Sequence, residues 1–553
     1  MENHRVLLYF TLFFLMYLLW VEWEEDYGPK RDVVADSTAP QQIVEERSIE
    51  TALPEAAPIE ATAAPSIRSA SIDDTEAVGS QIIEVETDVL RLRIDTRGGD
   101  ILEAVLLDYL WDLDDPDSKI SLLTDARVNF HIAQSGLVSA DKGSAPTHKS
   151  QFTSASTQYS LGEADSIQVP LVWRNDAGVE VVKTYTFLRN SYVIDVEYSV
   201  TAGAEPWSGS QYMQLVRNTP DTSNESSFIY TYTGGVIYND EIKYEKIDFD
   251  DIRDEDLRRQ LDDGWLAMIQ HYFLAAWIPQ EGSNNLFYSR HNVNADRYVL
   301  GTRTQPVALN PGQTDTLHSK LVVGPKLQNE LEFIAPGLEL TVDYGSLTIL
   351  AKPLFWLLDF FHGWVGNWGL AIILLTITVK LLFYKLSEMS YRSMAKMRKV
   401  APRMQQMKER FGDDRQAMSK AMMDMYKREK INPLGGCFPI LIQIPVFIAL
   451  YWVLLESVEM RHAPFALWIN NLSEKDPFYV LPVIMGVSMY LQQKLNPAPI
   501  DPVQQKVFAV MPFAFTIMFA FFPSGLVLYW VCNNILSIAQ QYVITRSIEK
   551  ASN

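Results

Sequence analysis

The strongest constraint on the fold is a series of long hydrophobic segments in the last third of the chain. Five of them follow one another, at residues 365–384, 434–455, 478–491, 507–522 and 525–544. A helix needs about 20 apolar residues to cross about 30 Å of hydrocarbon. Three segments reach that length, and the two shorter ones, 478–491 and 507–522, need flanking residues, thinned lipid or a re-entrant path. We therefore predict an α-helical membrane bundle.

A sixth apolar segment begins the chain. Residues 6–21 are apolar or aromatic, and they run directly into Glu22, Glu24 and Glu25. A cleaved signal peptide would end in small residues instead. We therefore expect residues 1–23 to be an uncleaved transmembrane signal anchor, which brings the predicted number of spans to six.

The charge distribution sets the orientation of these spans. Residues 24–345 carry 25 Lys and Arg against 53 Asp and Glu, whereas residues 385–432 carry 13 against 6. Basic loops stay in the cytoplasm, so we expect residues 385–432 and both termini to be cytoplasmic and residues 24–345 to be exported. The overall charge of −21 argues against a DNA-binding protein.

The sequence of the exported region predicts a linker followed by a large β-domain. Residues 24–80 are rich in Ala, Pro, Glu and Ser, a composition typical of flexible linkers. From residue 81 the apolar side chains alternate, as at Leu90, Leu92 and Ile94, which predicts the strands of a β-sandwich. The dipeptides Gly98–Gly99, Asn175–Asp176 and Gly234–Gly235 are predicted turns.

Two helices are expected within the exported region, at residues 251–261 and 326–334. The histidines lack ligand spacing, and the acidic runs 112–117 and 248–256 lack the glycine and spacing of an EF-hand. We therefore predict no metal, no cofactor and no catalytic residues. Both cysteines, Cys437 and Cys532, lie in membrane segments, so the exported domain needs no disulfide.

The basic region 385–432 has the pattern of two helices in a hairpin. Its apolar spacing predicts one seam through both helices, with Gly412 as a helix stop, Asp413 and Asp414 as N-cap candidates, and a kink or restart at Pro402. The methionines that we expect to make contacts are Met397, Met404, Met407, Met418 and Met422. They form either a packed seam or an adaptable apolar surface for hydrophobic sequences. The basic excess could attract anionic lipid or ribosomal RNA.

Polar side chains interrupt the predicted spans. Lys380 lies sixteen residues into its segment, with Thr376 one turn before it, and Gln443 stands beside Pro445. The last span carries several more polar residues: Asn533, Asn534, Ser537, Gln540 and Gln541. Lys380 alone could extend its amine to the cytoplasmic interface. Together with the amides and hydroxyls, however, it predicts a water-accessible cavity.

Four stretches carry a resemblance to a known family. They are NPLGGCFPILIQIP at 432–445, APFALWI at 463–469, DPVQQK at 501–506 and FPSGLVLYW at 522–530. With the order of segments, they resemble the YidC family of membrane protein insertases. The resemblance implies a periplasmic β-supersandwich, a five-helix core in the bacterial inner membrane, and a hydrophilic groove open to cytoplasm and lipid that receives nascent membrane proteins. It also implies the Sec translocon, the ribosome and signal-recognition targeting components as partners, beside the lipid bilayer.

The resemblance extends to individual residues of the groove. Lys380 stands where the family has an arginine, Thr376 matches a groove-lining threonine, and Trp530 follows Tyr529 where many relatives have a second tyrosine. The expected groove residues are Lys380, Thr376, Gln443, Trp530, Tyr529 and Asn534.

The predicted architecture is a six-helix membrane protein with a large exported β-domain and a cytoplasmic helical hairpin. Its segments are the signal anchor 1–23, linker 24–80, β-supersandwich 81–335, interfacial amphipathic helix 346–362, second transmembrane helix 363–384, hairpin 385–432, transmembrane helices three to six within 433–545, and a short cytoplasmic tail 546–553. A solute transporter or channel with a periplasmic binding domain is the alternative. The sequence contains no HExxH, GxSxG or P-loop motif, so an enzyme is not expected.

Overall fold

The computed structural model describes residues 80–141, 143–219, 231–411, 414–429, 438–496 and 502–550. The predicted signal anchor and the linker up to residue 79 lie outside these residues, as do Gly412, Asp413, Cys437 and the end of the tail. The described chain divides into two compact units. One contains residues up to 345 together with 456–462, and the other contains 346–455 and the residues from 463 onwards.

The first unit is built almost entirely of β-strands. Its strands are β1 Ile82–Glu86, β2 Leu90–Asp95, β3 Ile101–Leu110, β4 Lys119–Leu123, β5 His131–Val138, β6 Gln158–Ser160, β7 Ser166–Arg174, β8 Glu180–Leu188, β9 Val193–Thr201, β10 Trp207–Arg217, β11 Gly234–Asn239, β12 Lys243–Ile247, β13 Arg258–Asp262, β14 Trp265–Gln270, β15 Phe273–Pro279, β16 Asn284–Asn292, β17 Arg297–Arg303, β18 Val307–Leu309 and β19 Thr314–Pro325. Two short helices accompany them, α1 Phe249–Asp254 and α2 Gln328–Ile334.

The strands form two sheets. The order in the 11-stranded sheet is β13-β16-β17-β10-β5-β3-β2-β1-β6, with β18 paired to β10 and β4 to β3. The order in the 8-stranded sheet is β12-β11-β14-β15-β19-β9-β8-β7. The described pairings are antiparallel except that of β1 with β6. This confirms the predicted large all-β domain.

The alternation seen in the sequence places one face of each strand in the core. Ile194, Val196 and Tyr198 of β9 are buried and the residues between them are partly exposed. They belong to the same hydrophobic cluster as Leu92 of β2 and Trp277 of β15. Burying each large apolar side chain contributes roughly 1.5–3 kcal/mol, so this shared cluster holds the two sheets together.

Two local predictions for this unit are wrong. Gly234 and Gly235 lie inside β11 and form no turn, although Gly98 and Gly99 do form one between β2 and β3. The helix predicted at 251–261 ends at Asp254, and β13 begins at Arg258. The predicted helix at 326–334 is confirmed as α2.

A segment from much later in the chain completes the β-unit. Val458, only 2% exposed, is part of its hydrophobic cluster. Lys326 and Glu456 form a buried ion pair at 3.7 Å, and the Lys326 ammonium also donates to the carbonyl of Thr341 at 3.0 Å. Residues 456–462 are therefore part of this unit, although residue 345 and residue 456 are separated by more than 100 positions.

The second unit is helical. Its helices are α3 Thr348–Val365, α4 Trp368–Leu382, α5 Tyr384–Phe411, α6 Arg415–Arg428, α7 Phe438–Glu456, α8 Val480–Leu495, α9 Pro502–Phe519 and α10 Ser524–Lys550. The last residue of α7, Glu456, belongs to the β-unit. Within the described residues, no single helix is both long and apolar enough to cross a bilayer. Trp368–Leu382 and Tyr384–Met397 meet the requirement together, as a pair bent by 67°.

The helices α5 and α6 lie in the basic region for which a helical hairpin was predicted. Asp414 caps α6 by accepting hydrogen bonds from the backbone N–H groups of Gln416 and Ala417, as predicted. Helix α5 continues through Pro402 without a break. Arg403 of α5 lies 2.9 Å from Glu429, which directly follows α6, so the two helices are in contact.

Candidate functional site

Lys380 is the charged residue around which the polar groups of the helical unit gather. It lies in the last turn of α4, and its ammonium donates to the Ser537 hydroxyl of α10 at 2.7 Å. Ser537 in turn donates to the carbonyl of Asn533, one turn earlier, at 2.7 Å. The lysine side chain is therefore directed at α10 and held by a hydroxyl that is itself fixed.

Gln443 of α7 approaches the same face of α10. Its amide donates to the side-chain oxygen of Asn533 and, at 3.4 Å, to the hydroxyl of Tyr529. Tyr529, Asn533 and Ser537 are spaced four residues apart, so a helix aligns them on one side. The structure thus brings three predicted residues, Lys380, Gln443 and Tyr529, onto one polar stripe.

A small cavity lies beside this stripe. It has a volume of about 20 Å³ and is lined by Lys380 and Gln443 together with Phe383, Ser387 and other residues of α4, α5 and α7. A volume of roughly 10–15 Å³ suffices for one water molecule. The site therefore combines a cation, two amides and two hydroxyls with room for about one water, within otherwise apolar helices.

Thr376 and Trp530 have different surroundings. The Thr376 hydroxyl is buried and donates to the Ile372 carbonyl of its own helix at 2.7 Å. The Trp530 ring packs against Phe447 and Phe519, with centroids 4.6 and 5.2 Å away. Its indole N–H is buried and has no hydrogen-bond partner among the described residues.

Asn534 lies on another face of α10. Its amide donates to the Ser488 hydroxyl of α8 at 3.0 Å, and Gln541, two turns later, donates to the carbonyl of Leu495 at 3.1 Å. The polar residues of α10 therefore form two stripes, one towards Lys380 and one towards α8. Ser488 was not among the predicted residues, because a lone serine in an apolar run carries little signal.

The methionines of the α5–α6 pair differ in how far they are exposed to solvent. Met404 is buried and its sulfur accepts a hydrogen bond from the Tyr426 hydroxyl at 3.2 Å. The others that were predicted to make contacts are half-buried: Met397, Met407, Met418 and Met422. A groove of about 600 Å³ runs between the helices past Met407 and Met425, with three arginines along it.

Together, an all-β domain and a set of apolar helices with a polar, cationic stripe define the class as a protein with a β-domain and a helical core that carries a polar site. Two family models match: YidC periplasmic domain over residues 82–357, and 60Kd inner membrane protein over residues 360–551. The chain belongs to the YidC family of membrane protein insertases, which act in the bacterial inner membrane.

The full-length relatives carry the same name. A membrane protein insertase YidC from Thioalkalivibrio sulfidiphilus is 50% identical over 100% of this chain and 99% of its own. That from Methylococcus capsulatus is 49% identical with the same coverage. A solved active YidC insertase covers 84% of this chain and 95% of its own, at 19% identity and a TM-score of 0.39. The predicted function is confirmed, and the family is not a known class of catalytic enzyme.

Proposed function

We propose that this insertase accepts nascent membrane-protein segments along the polar stripe of Lys380, Gln443, Tyr529, Asn533 and Ser537. Thr376 and Trp530 border it, and Asn534 supports it from the neighbouring face of α10. The observation that carries this proposal is the ammonium of Lys380, half-buried among apolar helices and held at 2.7 Å from the Ser537 hydroxyl.

The chemistry of insertion explains why such a stripe is useful. Transfer of apolar side chains into lipid drives insertion, at about 0.8 kcal/mol per CH₂ group. The obstacle is the polar flank of the substrate, whose charged residues are costly in hydrocarbon. A positive charge with adjacent amides lowers that cost for an acidic flank, because it replaces part of the lost hydration.

We further propose the topology that the charges predict. In this arrangement the signal anchor and the helices of 363–384 and 433–545 span the inner membrane, residues 24–345 are periplasmic, and the α5–α6 pair with its charge of +7 over residues 385–432 is cytoplasmic. The basic surface of that pair suits anionic lipid or ribosomal RNA, and its half-buried methionines suit hydrophobic segments. The Sec translocon and signal-recognition targeting components are proposed partners on the resemblance alone.

Helix α3 fits the role of an interfacial helix. Trp356, Phe360 and Trp364 follow one another at intervals of four residues. The ring centroid of Phe360 lies 5.9 Å from that of Trp356 and 5.8 Å from that of Trp364. All three are exposed, at 66%, 47% and 77%. Aromatic side chains prefer the headgroup region of a bilayer, which supports a position along the membrane surface.

The charge of Lys380 can be tested in proteoliposomes. Lys380→Ala and Lys380→Glu should slow insertion of a substrate with an acidic exported tail, by about tenfold if the attraction contributes about 1.4 kcal/mol. Lys380→Arg should insert normally, because the charge is retained. The insertion rate is measured by protection of the exported tail from added protease.

Two further variants make the result specific. Lys385→Ala removes a lysine whose side chain is 89% exposed and should have no effect. Ser537→Ala should weaken insertion in the wild-type background and add nothing to Lys380→Ala, because the hydroxyl acts through the lysine. Equal rates for Lys380→Ala, Lys380→Glu and Lys380→Arg would contradict the proposal.

A further inference from the structure

The loop of residues 463–479 is bound to the starts of three helices of the helical unit. It is closed on itself by backbone hydrogen bonds. The Leu472 N–H donates to the Ala463 carbonyl at 3.0 Å, and the Phe465 N–H donates to the Ile469 carbonyl at 2.9 Å. Because the loop is held together in this way, it can keep the helices that attach to it at fixed positions.

The start of α4 is attached to the loop through Asn367. The side-chain oxygen of Asn367 accepts the Leu370 N–H at 3.0 Å, which is the usual N-cap hydrogen bond. Its amide donates to the carbonyls of Phe465 at 3.0 Å and Pro464 at 3.3 Å. A Cβ atom at Gly369 would overlap the Phe465 ring, so the glycine allows the loop to lie this close to α4. One side chain therefore both caps the helix and binds it to the loop.

The start of α10 is attached through Ser524, the first residue of that helix. The Ser524 N–H donates to the Glu474 carbonyl at 2.6 Å, and the Ser524 hydroxyl donates to the Asn471 carbonyl at 2.8 Å. The next N–H, that of Gly525, donates to the Leu472 carbonyl at 2.9 Å. The first N–H groups of a helix have no partner within the helix itself. The loop supplies partners for them and so fixes the position of α10.

The same loop is attached to α8 through Asp476, whose side chain is buried. The Asp476 carboxylate accepts the N–H groups of Phe478 and Leu481 at 3.0 and 2.7 Å. It also accepts the indole N–H of Trp468 at 2.9 Å. Hydrogen bonds to an ionised group are stronger than those between neutral groups. Because Trp468 lies in the first half of the loop, this carboxylate ties both halves to the start of α8.

The attachments of α4 and α10 place Lys380 and Ser537 level with each other. Lys380 lies 13 residues after Asn367, and Ser537 lies 13 residues after Ser524. At about 1.5 Å per residue, each side chain is about 20 Å along its helix from the loop. Their ammonium–hydroxyl distance of 2.7 Å follows from this equal spacing. A displacement of either helix along its axis would move one partner and not the other.

We propose that the 463–479 loop fixes the register of α4 against α10, and that Asn367 and Ser524 are positioning residues for membrane-protein insertion. A lysine side chain is long and flexible. The charge of Lys380 therefore stays in one place only if the Ser537 hydroxyl is held at the matching height. The effect on insertion rests on the function proposed above for the polar stripe, whereas the register itself is measured independently of it.

The register is tested by the distance between two spin labels in the full-length protein, with both native cysteines replaced by alanine. The labels are placed at Leu381 of α4 and Ile535 of α10, which are exposed. Asn367→Asp retains the capping oxygen and loses the two hydrogen bonds donated to the loop. We expect Asn367→Asp and Ser524→Ala each to shift or broaden the distance distribution by about 1.5 Å or more, the rise of one residue. An unchanged distribution in both variants would overturn the inference.

Insertion of a substrate with an acidic exported tail, in proteoliposomes, tests the positioning role. Asn367→Asp should slow insertion by about fivefold, the effect of about one net hydrogen bond. In the Lys380→Ala background it should change the rate by no more than about twofold, because it acts through the lysine. A general loss of stability would instead slow insertion in both backgrounds, and that result would contradict the positioning role. Asn367 is half-buried, so its variant remains informative if Ser524→Ala, at a buried position, fails to fold.

The matched control is Ser473→Ala. Ser473 belongs to the same loop, and its buried hydroxyl has no hydrogen-bond partner among the described residues. This variant should match wild type in both measurements, and an effect equal to that of Ser524→Ala would overturn the inference. If Lys380→Ala slows insertion but Asn367→Asp shifts the distances without slowing it, the positioning role is wrong. If Lys380→Ala itself has no effect, the function proposed for the stripe fails, and the distance measurement still decides the register.

Discussion

At the scale of residues, the most unusual feature of the β-unit is a lysine and an aspartate buried in its core. The Lys183 side chain is fully buried, and its ammonium donates to the carbonyls of Gly98 and Gly99 at 3.0 and 2.9 Å. Asp100 is 5% exposed and accepts a hydrogen bond from Gln134 at 2.6 Å. Because Lys183 belongs to the 8-stranded sheet and the glycines precede β3 of the other, the lysine ties the two sheets together.

Burial changes the protonation of both groups. It raises the pKa of Asp100 to about 8, against the attraction of Lys183. It lowers the pKa of Lys183 to about 7. The Asp100 carboxyl is therefore protonated in the folded protein over much of the pH range in which it is ionised in the unfolded chain. Lys183 loses its proton at a lower pH in the folded protein than in the unfolded chain.

The sign of the pH dependence follows from these shifts. Between about pH 4 and pH 7 the folded state holds one more proton than the unfolded state, at Asp100, so the free energy of unfolding falls as the pH rises, by up to about 1.4 kcal/mol per pH unit. The contribution of Lys183 has the opposite sign and belongs to the range above about pH 7. Asp100→Asn, which resembles the protonated carboxyl, should therefore flatten the decline between pH 4 and pH 7.

This prediction is checked by urea unfolding of the full-length protein, followed by tryptophan fluorescence, to which the buried Trp265 and Trp277 contribute. The slope against pH is compared between wild type, Asp100→Asn and Asp176→Asn, an exposed control. An unchanged slope in Asp100→Asn would show that Asp100 does not titrate as the structure indicates.

At the scale of elements, sequence periodicity predicted the strands well where one face is buried. Residues 90–95 and 193–201 are strands with the predicted faces inward. The glycines at 234–235 were predicted to form a turn but belong to β11. A Cβ atom at Gly235 would lie 3.0 Å from Leu300 and 3.1 Å from the Ile247 carbonyl. These glycines serve close packing within β11, which local composition does not reveal. Similarly, β13 exists because it pairs with β16, and this tertiary pairing overrides a local helical pattern.

The polar site could be predicted in composition but not in arrangement. Lys380 contacts Ser537 of α10, and Gln443 contacts Tyr529 of the same helix. The neighbours Asn533 and Asn534 appeared in sequence as one polar group, yet successive residues of a helix point about 100° apart. The structure accordingly directs Asn533 to Gln443 and Asn534 to Ser488. Which helix faces each amide depends on packing between helices, which one sequence does not contain.

The start of α6 gives a prediction at this scale. The Asp414 carboxylate accepts hydrogen bonds from two backbone N–H groups, at 3.2 and 3.0 Å. Loss of an N-cap costs about 1 kcal/mol. Asp414→Ala should therefore increase cleavage by a protease within the first turn of α6, by about fivefold, whereas Asp414→Ser should restore protection. Asp424→Ala, an exposed carboxylate within α6, is the control, and equal sensitivity of both alanine variants would contradict the capping role.

At the scale of the whole molecule, charge is divided between segments of opposite sign. Residues 24–345 have a net charge of −28 and residues 385–432 a net charge of +7. Basic segments are retained in the cytoplasm during insertion, whereas acidic residues have little influence. In the proposed topology, the basic α5–α6 pair therefore sets the orientation of the helices on either side of it, and the acidic domain lies on the opposite side of the membrane.

This orientation can be measured by labelling with a membrane-impermeant maleimide. The native Cys437 and Cys532 are first replaced by alanine, and single cysteines are then introduced at Asp176, in an exposed turn of the β-unit, and at Lys420, on the exposed side of α6. In intact spheroplasts the reagent should label position 176 and not 420, and after permeabilisation it should label both. Labelling of position 420 in intact spheroplasts would contradict the proposed topology. Replacing the basic residues of α6 by glutamine should weaken the orientation, with position 420 becoming partly accessible from outside, because the retention depends on Lys and Arg alone.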